Sequence, residues 1–147
     1  MKRLSLLVLV AAAALAPPAL AGTAQGGGRG TVEGATPFSD FGFGVTVDEH
    51  GIQGHFNCLM AGSSQFPGFT LMAVRGQVTK AVISGAAASF DGTGMFQTGN
   101  QGKSPATFHV EVTDGGPGVG TLQLTLLTPF LFVLPTERVL VGQISIR

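Results

Sequence analysis

Apolar and polar side chains alternate along most of this chain. Phe41, Phe43, Val45 and Val47 fall on one side of an extended backbone. After a turn at Asp48-Glu49-His50-Gly51, the residues Ile52, Gly54, Phe56, Cys58 and Met60 share a face, with Gln53, His55 and Asn57 opposite. Positions 61–68 hold Gly62, Ser63, Ser64, Pro67 and Gly68 and predict a loop. Positions 69–84 predict a strand bent near Gly76, with Met72, Val74 and Val78 on one face and Gly85 ending it. Ala88, Phe90, Gly92, Gly94 and Phe96 alternate again, and a polar loop follows over 98–104. A period of two is the mark of a strand with one buried face.

The clearest case comes next. Ala106, Phe108, Val110 and Val112 point one way, and Thr107, His109, Glu111 and Thr113 the other. Asp114-Gly115-Gly116-Pro117-Gly118 makes a compact turn, after which Leu122, Leu124 and Leu126 alternate with Thr121, Gln123 and Thr125. The run 130–134, between Pro129 and Pro135, predicts an edge or crossing segment. Leu140, Gly142, Ile144 and Ile146 predict a last strand. No segment after residue 21 has a helical period with caps. Seven or eight short strands separated by Gly/Pro turns predict an all-β domain, a single antiparallel β-sandwich or small β-barrel.

The N-terminus follows another pattern. Lys2 and Arg3 precede an apolar stretch over 4–15, Pro17 and Pro18 break it, and Ala19-Leu20-Ala21 offers small residues at cleavage positions. This is the plan of a secretory signal peptide. The apolar run is too short to cross ~30 Å of hydrocarbon, which takes about 20 residues. The expected organisation is a signal peptide over 1–21, a flexible Gly-rich leader over 22–30 and the β domain over 31–147. The expected location is secreted or periplasmic, in a bacterium, without stable membrane insertion after cleavage.

Composition narrows the function. Charged residues are 11% of the chain, and all 11 aromatics are Phe. Without Lys2 and Arg3 there are six basic against eight acidic side chains, a net charge near −2. Clustered Lys and Arg, which nucleic acid binding requires, are absent. The single cysteine, Cys58, shares the apolar face of Phe56 and Met60, which predicts burial. The Gly-rich start lacks the Lys-Ser/Thr ending of a phosphate loop.

Three constellations have chemical potential. His55 and His109 lie on polar faces, and Glu111 follows His109 on the same face. If their strands are neighbours, two imidazoles and a carboxylate form a Zn²⁺ ligand set. Asp91-Gly92-Thr93-Gly94 and Asp114-Gly115-Gly116 each offer one carboxylate; calcium takes six to eight oxygens, so both are read as turns. Ser63 and Ser64 accompany three histidines, but no Gly-x-Ser-x-Gly elbow occurs. No cofactor fingerprint is present, and none is expected to bind.

An ordered set of segments runs through the chain. It comprises Gly26-Gly27-Gly28-Arg29-Gly30, Phe41-Gly42-Phe43, Gly54-His55-Phe56, and Ser89-Phe90-Asp91-Gly92-Thr93-Gly94. Phe108-His109-Val110-Glu111-Val112-Thr113-Asp114, Gly115-Gly116-Pro117-Gly118 and Gly142-Gln143-Ile144-Ser145-Ile146 complete it. Together they resemble the post-COAP domain, a β-rich module of exported bacterial proteins. The resemblance implies a β fold and export, and it implies no catalytic role. The expected function is a non-catalytic interaction or cell-envelope module, with an unknown protein or envelope component as partner. Two alternatives stand beside it: a metal-dependent hydrolase using His55, His109 and Glu111, and a carrier holding a small apolar ligand in a Phe-lined interior.

Overall fold

The computed structural model describes residues 20–32, 37–66, 69–99 and 101–147, and for residues 37 and 61–66 and 69–70 the backbone alone. The expected signal peptide lies almost wholly outside these residues. Nine strands and no helix form among them. They are β1 (Gly22–Thr31), β2 (Pro37–Asp48), β3 (Gly51–Phe66), β4 (Phe69–Ser84), β5 (Ala87–Thr98), β6 (Ser104–Thr113), β7 (Thr121–Thr128), β8 (Phe132–Val133) and β9 (Glu137–Ile146).

All nine belong to one antiparallel sheet in the order β6-β5-β4-β3-β2-β1-β9-β7-β8, and β6 also pairs with β7. That extra pairing closes eight strands into a ring, so the sheet is continuous. The seam is the joint between β7 and β9, held at Thr121↔Arg138 and Leu122↔Glu137. Further along the same edge of β7, the short β8 takes over through Thr125↔Val133 and Leu126↔Phe132.

The expected alternation selects the interior. Phe43, Phe56, Phe108 and Leu124 are all buried in one core. Phe43 on β2 meets Phe90 on β5 at 5.5 Å between ring centroids, across the interior, because β3 and β4 separate those strands in the sheet. Phe56 meets Phe90 at 5.9 Å and Phe108 at 5.3 Å. The centre is therefore packed with tilted and edge-on rings. At one end, Phe130 closes on Phe96 edge to face at 5.5 Å and on Phe132 at 6.2 Å.

Three sequence expectations are corrected. Residues 22–30 are not a flexible leader: they form β1, paired along its length with β2 and β9. Glycine is accommodated there because neighbours use the vacated space. A Cβ at Gly26 would lie 2.7 Å from the Phe43 ring, and one at Gly30 would lie 2.1 Å from Glu137 Oε2. The loop expected over 61–68 is largely strand, since β3 runs to Phe66 and β4 resumes at Phe69. The register of β4 against β5 shifts at a bulge between Val78 and Lys80. In β9 the inward face holds Val139, not Leu140, because a bulge beside Arg29/Gly30 shifts the parity before Ile144 and Ile146.

Candidate functional site

The outer surface of β5, β6 and β7 carries the first candidate. Register places Asp91 of β5 directly opposite His109 of β6. Their side chains meet at 2.6 Å, His109 Nδ1 to Asp91 Oδ1, and His109 Nε2 lies 3.5 Å from Glu111 Oε1. A carboxylate against Nδ1 favours the tautomer with its proton there. His55 is elsewhere. It sits on β3 opposite Gly44 and Gln77, with β4 and β5 between it and β6. The Zn²⁺ set of His55, His109 and Glu111 is therefore not assembled, and among the described residues no three His, Cys, Asp or Glu side chains are grouped to hold a metal ion.

Asp91 is the partner that sequence reasoning missed. Its Gly-rich context suggested a turn, but it stands inside β5. Asp114 accepts a hydrogen bond from the Ile146 amide, 32 positions on, at 2.8 Å, fastening the last strand to the turn. Asp48 likewise accepts from the His50 amide at 2.8 Å in the β2–β3 hairpin. The side chains of Ser63 and Ser64 lie outside the described residues.

The second candidate lies inside the ring. Ser39 shares the inward parity of Phe41 and Phe43, and Glu137 opens β9 with the parity of Val139. Ser39 Oγ donates a hydrogen bond to Glu137 Oε2 in the interior. Glu137 is 2% exposed and Ser39 4%. Burial pushes the Glu137 carboxyl up to about 7, against the opposing pull of the Ser39 hydrogen bond. Cys58 is buried, as its pattern predicts. Burial raises its thiol far above the ordinary range, the nearby Glu137 charge adds to this, and a hydrogen bond with Ser39 offsets part of it. This serine, acid and thiol are closed to solution, so they serve the interior and are not presented to a substrate.

The third candidate is a pair of adjoining concavities on the outer surface of β3, β4 and β5. Here β-register sets Leu59 beside Ala73, and Asn57 beside Arg75 beside Met95. One concavity, about 330 Å³, has Leu59, Leu71, Ala73 and Met95 in its lining with Arg75 and Lys103. The other, about 590 Å³ and shallower, is lined by His55, Asn57, Gln77 and Thr93, again with Arg75 and Met95.

Apolar side chains also project from the β7–β8 arm. Leu131 is 70% exposed and Val133 58%, with Leu127 and Phe130 partly exposed beside them. Comparison with protein-family models finds no match for this chain. Comparisons with curated proteins and with solved structures find none either.

Proposed function

We propose that this chain is an exported, non-catalytic interaction or cell-envelope module; its resemblance to the post-COAP domain supports the export. The observation that carries this reading is the division of its apolar side chains. Phe43, Phe56, Phe90 and Phe108 occupy the interior, while Leu131 and Val133 stand in solvent on an arm whose base is fixed by Phe130 against Phe96. Exposed apolar side chains on a rigid support favour contact with another surface. Near-neutral charge makes that contact one of shape and apolar area, without electrostatic steering.

The test is site-specific photo-crosslinking from position 131 in bacterial cells expressing the full chain, combined with envelope fractionation. A discrete crosslinked partner is expected, lost when Leu131→Asp and Val133→Asp are combined. A chain that stays free in the soluble fraction, with the same distribution in wild type and variant, overturns the proposal.

A further inference from the structure

At several places on the outer surface of the sheet, polar side chains are spent on each other. Arg29 pairs with Asp40 at 2.9 Å, Thr113 with Thr121 at 2.6 Å, Thr107 with Thr128 at 2.8 Å, and His109 with Asp91. In the grooves they are not. Among the described residues Arg75 and Lys103 make no ion pair, and both are exposed. No Asp or Glu lines either concavity.

The same place is apolar on its other side. Leu59, Leu71, Ala73 and Met95 form a greasy lining next to the two cations. Its volume, about 330 Å³, is at the lower end of the range for small-molecule sites. An apolar body would lie against the leucines and Met95. An anionic head would sit at Arg75, whose guanidinium can grip a carboxylate with two parallel hydrogen bonds. Lys103 adds a second positive charge at the rim.

We infer that the outer groove of β3–β5 is a binding site for a small amphipathic organic anion, a medium-chain carboxylate, with its chain on Leu59, Leu71 and Met95 and its carboxylate on Arg75 and Lys103. This goes beyond the interaction role of the β7–β8 arm and does not depend on it. It also relocates ligand binding from the ring interior, which phenylalanines occupy, to the outside of the sheet.

The experiment is a titration of the isotope-labelled full chain followed by NMR, with three probes: octanoate, 1-octanol and acetate. Octanoate is expected to shift resonances of Leu59, Leu71, Ala73 and Met95, and acetate to bind far more weakly because it lacks the chain. The combined variant Arg75→Gln/Lys103→Gln should weaken octanoate about tenfold or more while leaving 1-octanol unchanged. Ala73→Phe, which fills the groove from an outward position, should block both. Thermal unfolding of each variant serves as the fold control, since these side chains lie outside the core. The inference is overturned if octanoate produces no saturable shifts, if the shifts fall on the β7–β8 arm, or if the charge-neutral variant binds octanoate like wild type.

Discussion

Ser39 Oγ donates to Glu137 Oε2 inside the ring, joining residues 98 positions apart in sequence. Gly30 makes the contact possible, since any side chain there would occupy the place of the carboxyl group. The pair has a consequence for pH. In the unfolded chain Glu137 loses its proton near 4.5, and in the folded chain near about 7. Below both values the group is protonated in either state and costs nothing. Between them the unfolded chain ionises first, so stability falls as pH rises, and above about 7 the loss is complete.

The expected loss attributable to Glu137 is about 3 kcal/mol across that window. Glu137→Gln keeps an acceptor for Ser39 and removes the proton. Denaturant unfolding of wild type and variant from pH 4.5 to 8 measures this directly. The wild-type curve should fall relative to the variant as pH rises, and parallel curves would refute the assignment.

Phe108 of β6 lies over two glycines, Gly92 of the adjoining β5 and Gly76 of β4 beyond it. A Cβ at Gly92 would lie 2.3 Å from Phe108 Cζ, and one at Gly76 would lie 2.8 Å from Cε1. Gly92→Ala should therefore push the ring out of its packed position and destabilise by about 1–3 kcal/mol. Gly42 is a suitable comparison, because a Cβ there meets nothing within 4 Å. Gly42→Ala should be neutral or slightly stabilising, by up to about 1 kcal/mol. Denaturation midpoints of the two variants test the contrast, and equal shifts would contradict it.

Cys58 should be silent in the native protein. Its thiol is buried, and its ionisation is opposed first by burial and then by the Glu137 charge. The thiolate is the reactive form, so reaction with a disulfide reagent should proceed at the rate of unfolding. The expected result is no labelling under native conditions and one equivalent in denaturant. Rapid labelling of the folded chain, or an interchain disulfide in the native protein, would show that the site opens.

Much of the core was legible from alternation. The inward sets Phe41/Phe43/Val45/Val47, Phe108/Val110/Val112 and Leu122/Leu124/Leu126 are buried as their parity predicts. The failures occur where parity changes or is silent. A run such as Gly26-Gly27-Gly28 has no side chains to alternate, so its place between β2 and β9 left no trace in pattern. In β9 one bulge exchanged Val139 for Leu140. The candidate sites were less legible than the core. Alternation correctly put His55, His109 and Glu111 on outward-facing positions, but it carries no information on strand order. Glu137 was hidden as well: its charge suggested solvent, the face read for the last strand put it outward, and only the bulge in β9 turns it inward with Val139.

Local chemistry along the chain determined that it forms strands, which side chains those strands bury and where several turns fall, because each of these depends on neighbours one or two residues away. Tertiary structure alone decided that β6 meets β7 to close the ring, that β4 and β5 separate His55 from His109, and that Ser39 reaches Glu137. Those outcomes depend on strand order and on bulges, which arise from the fit of distant side chains in a shared interior.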